Sequence, residues 1–428
     1  MPITFFWIFA GLMLLGVPIV FALAAAPLSG FLLADKVFFL KMVPQRMFGG
    51  MSQFHIIAIP MFILAGEAMN TGGITQMLVR FANVLVGHVR AGLAQTNILA
   101  SILFSGISGS AVADASALGS ILIPAMKKEG YPTTFSAAVT AASSVIGPIV
   151  PPSIIMVVYA YVMQVSVGAL FLGGIVPGLL LGVGLMLMTA WIGRRRGYPK
   201  SDERASMAEV RDAFKGAFLP LLTPVVILVG IVSGIVTPTE AAGVAVFYAL
   251  VIGLFVLRTI TLADLPRILY RTGIVSSGIV LMIGSASIFA WAVTISGVPQ
   301  ATGAAMVKIT RDPLMLLLLV SGVLLIVGMF LDAIPAVLVL GPIFAPPVVA
   351  AGVDPLHLAV VMCVNLTIGL ATPPVGMLLF VTSSVSGQSI EAITKEIWPY
   401  LLIHLAVLLA ITVFPALVLT VPHLFGFR

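Results

Sequence analysis

SILFSGISGSAVADASALGSILIPAMKKEGYPTTFSAAVTAASSVIGPIVPPSIIM, residues 101–156, has a second copy of itself 222 positions later, over residues 323–378. Gly106, Gly119, Pro124 and Gly130 pair with Gly328, Gly341, Pro346 and Gly352. Ile146-Gly147 pairs with Ile368-Gly369, and Pro151-Pro152 pairs with Pro373-Pro374. Apolar segments interrupted by Gly and Pro at corresponding places in two halves of a chain are the strongest sequence pointer to a transporter's midplane binding site. The repeat therefore speaks to function as well as to fold.

The rest of the chain sets the solvent. Of its 428 residues 60% are hydrophobic and 8% charged, and the mean hydropathy is +1.20. An ordinary soluble domain carries about a quarter charged residues, so this is a polytopic membrane protein. The net charge of +6 does not indicate nucleic acid, because the basic residues lie in the joins between apolar runs, where they set orientation. Cys363 is the only cysteine, which excludes a disulfide framework and a cysteine-based metal site. The run Ile3 to Ala25 lacks a basic leader and is expected to be a retained first span, with a cleaved signal peptide as the alternative.

Apolar runs near the length of a spanning helix, about 20 residues, occur at 4–24, 26–45, 54–72, 169–193, 217–236, 239–257, 272–296 and 398–421. Each repeat block between them is broken twice. The first break is Ser105-Gly-Ile-Ser-Gly-Ser110 in one copy and Val327-Gly-Met-Phe-Leu-Asp332 in the other. Neither half can span alone, so a helical hairpin that enters and leaves by the same face is expected. The second break is Ile146-Gly-Pro-Ile-Val-Pro-Pro-Ser153 and Ile368-Gly-Leu-Ala-Thr-Pro-Pro-Val375, where successive prolines unwind a helix in mid-membrane. Non-helical backbone survives at that depth only against protein or a water-filled cavity.

Placing Lys127 and Lys128 inside also puts Arg194–Arg196, Lys200, Arg204, Arg211, Lys215, Arg258, Arg267, Arg271 and Lys395 inside, and leaves chiefly Arg46, Lys308, Arg311 and Arg428 outside. That is the positive-inside pattern. It makes the first hairpin open to the cytoplasm and the second outward, so the repeats are inverted and both termini lie outside. Thr75 to Ala91 and Leu262 to Tyr270 are expected to be amphipathic helices in the headgroup plane, and 194–215 a cytoplasmic loop with one short helix. The fold class is an all-α inverted-repeat transporter with two re-entrant hairpins and two Pro-broken helices. Five regions follow: 1–92 as scaffold and first arm, 93–168 as transport repeat 1, 169–311 as scaffold with a second arm, 312–386 as transport repeat 2, and 387–428 as a C-terminal span.

The breaks supply what a bare Na+ needs, carbonyl and hydroxyl oxygens, while half-helix N-termini suit an anionic substrate. The candidates are Ser105, Gly106, Ser108, Ser110, Gly147, Val150 and Pro152 in one copy and Gly328, Asp332, Gly369, Thr372 and Val375 in the other. The alternative is that small residues only allow close helix packing. Glu67, Asp114, Glu240 and Asp332 are the intramembrane charges. Asp332, at a hairpin tip, is a candidate for ion or substrate contact. Asp114 could equally pack against a polar partner, Glu240 is a helix cap, and Glu67 has no obvious partner. His55 and His404 are expected to be hydrogen-bonded packing residues. Zinc-protease, P-loop and dinucleotide motifs are absent. An aspartyl protease could use only Asp114 and Asp332, which inverted hairpins suit less well than ion or substrate contact.

At the Gly106-Ile-Ser-Gly-Ser110 tip, both Pro-Pro breaks and Gly234-Ile-Val-Thr-Pro-Thr-Glu-Ala-Ala242, the chain resembles the DctM-like large membrane subunit of tripartite ATP-independent periplasmic (TRAP) transporters, over essentially its whole length. The resemblance implies an elevator-type fold and Na+-driven uptake of a carboxylate, such as a C4-dicarboxylate or a sugar acid, across the bacterial inner membrane. It also implies a separate DctQ-like small membrane subunit and a DctP-like periplasmic binding protein. It places the sodium sites at Ser105, Gly147, Val150 and Pro152 and at Gly328, Gly369, Thr372 and Val375. Ser108, Ser110 and Asp332 remain for the substrate. A stand-alone carboxylate symporter or antiporter of similar fold is the alternative within transport. A non-transporting scaffold has no need of paired mid-membrane breaks.

Overall fold

Glycine and proline decide where so apolar a chain can be helical, and its first fifty residues show this at once. The computed structural model describes residues 4–200 and 204–427, and every regular element among them is helical. α1 (Thr4–Leu14) ends before Gly16, at φ +78°, and Pro18 precedes α2 (Ile19–Leu33). Asp35, at φ +55°, then turns the chain into a 3-10 segment (Val37–Met42) and α3 (Val43–Met51), which has Pro44 in its first turn. Neither 4–24 nor 26–45 is therefore a single spanning helix, which corrects the expectation drawn from run length. Hydropathy sums across Gly16–Pro18 and Asp35 without registering the turns they impose.

A 3-10 turn (Phe54–Ile57) runs into α4 (Ala58–Thr71), and the two together are long and apolar enough to cross a bilayer. Gly73, at φ +71°, then starts α5 (Ile74–Val86). Its Ile74, Leu78 and Ala82, four residues apart, are buried, whereas Arg80 is exposed. An amphipathic helix is thus present where the sequence predicts one over 75–91, but it ends at Val86, five residues short.

α6 (Gly92–Ser108) and α7 (Ala111–Lys128) are joined by Gly109, at φ +59°, and Ser110, and they pack together as a hairpin. α8 (Thr133–Ser144) gives way to non-helical chain over 145–153, and the Ser153 hydroxyl caps α9 (Ile154–Met163) by accepting from Met156 N at 3.3 Å. α10 (Val167–Arg196) ends at Gly197, and α11 (Met207–Val232) starts at a capping box in which Ser206 N donates to Glu209 Oε2 at 2.7 Å. The expected loop 194–215 is thus shortened from both ends, and the described part of the connection has no helix of its own. Caps fix helix ends more sharply than charge does.

α12 (Pro238–Val251) starts at a second capping box. Thr237 N donates to Glu240 Oε2 at 2.7 Å, and Glu240 N donates to Thr237 Oγ1 at 3.3 Å. Glu240 is the structural cap expected from the sequence. Thr237→Ala should lower thermal stability by about 0.5–2 kcal/mol and leave the ion dependence of any transport unchanged; a melt paired with a Na+ titration checks both. α13 (Leu265–Ile295) is continuous for 31 residues, so the separate interfacial helix expected at 262–270 does not exist. Asp264 accepts from Thr261 N at 2.9 Å, and Pro266 opens the long helix directly.

The second arm is α14 (Val298–Ile309), which lies at 118° to α15 (Pro313–Gly328). Next come α16 (Ala333–Ala350), α17 (Pro355–Gly369) and α18 (Met377–Ser386). Moving the bounds of α7 on by 222 gives those of α16, so α15 and α16 form the second hairpin and α17 and α18 the second broken helix. α19 (Ile390–Val413) and α20 (Ala416–Leu424) are parted at Phe414–Pro415, which divides the run expected at 398–421.

α10 orients the two copies. Near its C-terminal end Gly193 meets Ala91, at the open end of the first hairpin. Near its N-terminal end Gly173 meets Val360, just beyond the open end of the second. Twenty helical residues rise about 30 Å, so the hairpins enter from opposite ends and the repeats are inverted. α12 lies along α4, and α13 along α2, α3 and α4, which makes one body. The repeats make another, with α10 and α19 packed on them. Gly174 and Gly178, one turn apart on α10, rest on the unwound segment at Ile149 and Val150, where a Cβ on either would collide. Small residues at this spacing bring helices close in membranes.

Candidate functional site

The first hairpin tip rests on the first unwound segment. Ile154 N donates to Gly109 O at 3.5 Å, and a Cβ on Gly109 would come within 2.6 Å of Pro152 O. A Cβ on Gly106 would lie 2.9 Å from Pro224 and 3.5 Å from Pro151 O. Ser105 is fully buried, its hydroxyl donating to Ile102 O at 2.6 Å and its carbonyl accepting from Gly109 N at 3.2 Å. α6 therefore runs unbroken through Ser105–Ser108, and the tip is narrower than the Ser105–Ser110 break expected from the sequence. Packing from α11 and 145–153 holds those small residues helical. Val150 points its side chain at Gly178 of α10.

Asp114 joins this cluster. It is fully buried; Oδ1 accepts from the Ser108 hydroxyl, and Oδ2 has no hydrogen-bond partner among the described residues. Oδ2 lies against Gly147 at the place a side chain would need. A buried carboxylate with an unanswered oxygen is costly unless a cation or a proton joins it. The sequence placed Asp114 one turn past the tip; only the fold aims it at Gly147.

In the second copy Gly328 and Gly369 touch through their backbones, so a Cβ on Gly369 would sit 2.5 Å from Gly328 C and 2.7 Å from its carbonyl oxygen. Gly376 N donates to Met329 O at 3.0 Å, tying the tip to the unwound segment. Thr372 is buried; its amide donates to Gly369 O at 2.9 Å and its hydroxyl to Ile368 O at 2.8 Å. Val375, three residues on, is partly exposed. Asp332 caps α16, Oδ1 accepting from Ala333 N at 2.7 Å. Both Pro-Pro peptide bonds, 151–152 and 373–374, are cis.

Between the two tips lies a cavity of about 380 Å³. Ser108 and Ser110 line it from one tip and Asp332 from the other, so the three substrate candidates share one space. The ion candidates Ser105, Gly147, Val150, Pro152, Gly328, Gly369, Thr372 and Val375 are not among its lining residues. The first turns of four helices open on it, at Ala111–Ala113 of α7, Ile154 and Ile155 of α9, Ala333 and Ile334 of α16, and Met377 of α18. Each N-terminus carries roughly half a positive charge, and although Ala113 N, Ile154 N and Ala333 N already have partners, the four ends together favour an anion against the carboxylates of Asp332 and Glu67 on the same lining. Its opposite wall belongs to the other body: Ile63, Gly66, Glu67 and Asn70 of α4 and Val275, Ile279 and Met282 of α13.

Glu67, left unpaired by the sequence, accepts from Arg271 of α13 at 3.0 Å. Such partly exposed pairs contribute about 0–1 kcal/mol, but here the pair also neutralises a carboxylate beside the cavity. Arg271→Gln should therefore raise the KM of an anionic substrate several-fold, and Glu67→Gln added to it should restore the KM; uptake kinetics in a double-mutant cycle read this. His55 is exposed beside Phe54, and its ring makes no hydrogen bond among the described residues. His404 is fully buried, with the Ala142 backbone as its polar neighbour and neither ring nitrogen in good hydrogen-bond geometry among the described residues, so it is a packing residue as expected whereas the exposed His55 is not. Cys363 is buried and free.

The family described as "Tripartite ATP-independent periplasmic transporter, DctM component" matches residues 6–417. The sialic acid TRAP transporter large permease protein of Vibrio cholerae is 41% identical over 415 residues, 97% of each chain. The C4-dicarboxylate TRAP transporter large permease protein of Pseudomonas aeruginosa is 41% identical over 381 residues, 89% of each chain. Among solved structures, the Alcanivorax borkumensis YdaH transporter superposes with a TM-score of 0.63 at 18% identity, covering 96% of this chain and 98% of its own, a likeness of fold.

Proposed function

Because the chain belongs to the DctM component family of tripartite ATP-independent periplasmic transporters, we propose that it is the large membrane subunit of a Na+-driven importer of an organic acid. The convergence of four helix N-termini on one cavity, between a body of inverted repeats and a second body, is the observation that carries this. The anion sits between the tips, held by the Ser110 hydroxyl and the first-turn N–H groups that have no partner, beside Ser108, whose own hydroxyl is given to Asp114. Na+ enters as co-transported cargo behind each tip. In the first half it meets Asp114 with oxygens from Ser105, Gly147, Val150 and Pro152. In the second it meets Gly328, Gly369, Thr372 and Val375.

Cation and anion lie on opposite sides of the same tips, so each lowers the electrostatic cost of the other. That reciprocity is a coupling free energy. The moving part is the repeat body, 93–168 and 312–386, and it carries α10 and α19, because the glycine contacts of α10 leave it no slip plane against 145–153. α4, α12 and α13 stay, and the cavity lies on the seam. The end bearing Lys127, Lys128 and Arg194–Arg196 faces the cytoplasm of a bacterial inner membrane. A small membrane subunit and a periplasmic binding protein complete the assembly, the latter delivering the substrate.

The test is uptake of labelled substrate into proteoliposomes holding this chain and its small subunit. The proposal expects uptake only with an inward Na+ gradient and loaded binding protein together. Equal uptake in K+, or with free substrate and no binding protein, contradicts the corresponding part.

A further inference from the structure

A second and larger space, about 1160 Å³, opens at the end of the molecule opposite the basic cluster. It lies end to end with the central cavity. α13 gives Met282 to one and Ile283 to the other, and α16 gives Ile334 to one and Leu338, a turn later, to the other. α9 likewise runs from Ile154, in the central cavity, to Tyr161 in this vestibule. Buried Pro335–Val337 of α16 and Met156–Ala160 of α9 form an apolar layer between the two. Tyr161 OH donates to Gly50 O at 3.0 Å, joining the repeat body to α3 across the vestibule wall.

The vestibule's charge is one-sided. Its lining holds no carboxylate and one cation, Arg46, with Gln45, Gln53, Gln164 and Gln300 around it. Arg46 is exposed and makes no ion pair among the described residues; its guanidinium lies 5.4 Å from the ring centroid of Trp291. A cation held over an aromatic face keeps its N–H edge free for a planar bidentate partner, and carboxamides supply further donors. We propose that this vestibule is a capture site for small carboxylates, with Arg46 as the recognising group, where the organic acid waits before the apolar layer opens. It rests on the import of an organic acid proposed above. A carboxylate there is drawn by charge and released without leaving a buried ion pair, because the site is wet and open.

Trp291 reports on it. In a chain with Trp7, Trp191 and Trp398 replaced by Phe, titration with succinate should change Trp291 emission saturably, whereas chloride at matched ionic strength should not. Arg46→Gln should abolish the response. Asp114→Asn, which stops Na+-driven uptake, should keep it, so failure of the ion proposal and failure of this one are distinguishable. In the full assembly with native tryptophans, Arg46→Gln should raise KM about tenfold, the worth of a charge-assisted hydrogen bond, with maximal rate within about twofold. Arg46→Lys should fall between. No succinate response in the parent, an unchanged response in Arg46→Gln, or a loss confined to complex formation with the binding protein would each overturn the proposal.

Discussion

Asp114→Asn should abolish Na+-stimulated uptake while leaving a folded chain. The substitution keeps an acceptor for the Ser108 hydroxyl, removes the charge, and puts an amide NH2 in place of the unanswered oxygen beside Gly147. Removing one partner of a buried charge pair costs about 3–5 kcal/mol, roughly two to four orders of magnitude in cation affinity. Stability behaves oppositely. Without Na+ the parent buries a bare carboxylate, so the variant should melt no lower than the parent in choline buffer, and higher if the carboxylate stays ionised. In Na+ the parent should gain stability by ligand linkage and the variant should not. A variant whose melting still rises with Na+ as the parent's does, at the same concentration, would remove Asp114 from the site.

Gly369→Ala should be the most damaging single methyl group at the second hairpin tip. The new Cβ would meet Gly328 backbone atoms at 2.5–2.7 Å, and backbone cannot swing aside as a flexible side chain can. Overpacking ordinarily costs about 1–3 kcal/mol. Here the methyl also wedges the second hairpin tip from the unwound segment it must hold, so both the melting temperature and Na+-dependent uptake should fall. Gly322→Ala, on the same hairpin, has nothing within 4 Å of its Cβ and should be close to neutral. Equal losses in the two variants would mean that glycine flexibility, and not the Gly328–Gly369 contact, is what matters.

Much of this was legible before any coordinates, and the parts that were not have identifiable causes. The repeat at an offset of 222 positions carried both hairpins and both broken helices, since Gly, Ser and Pro act locally and the same local rule was written twice. The first arm was visible because Arg80 stands against Ile74, Leu78 and Ala82; the second, α14, was missed because Lys308 is its one charge and the apolar contrast is weak. Residues 4–45 misled because length and hydropathy ignore Gly16, Pro18 and Asp35. Glu67 met Arg271 across 204 positions, and Asp114 met Gly147 only once α7 lay against 145–153. Long-range partners of this kind leave no periodic mark. Arg46 looked like a topology marker until α13 set Trp291 beneath it.

The cargo itself can be counted. In proteoliposomes containing the complete assembly, uptake of labelled organic acid and of 22Na+ should be measured together, with the membrane potential clamped at zero. Co-transport predicts that 22Na+ enters in a fixed ratio above one to each acid, only when loaded binding protein is present, and that Asp114→Asn stops both fluxes. Acid uptake unaccompanied by 22Na+ would contradict it.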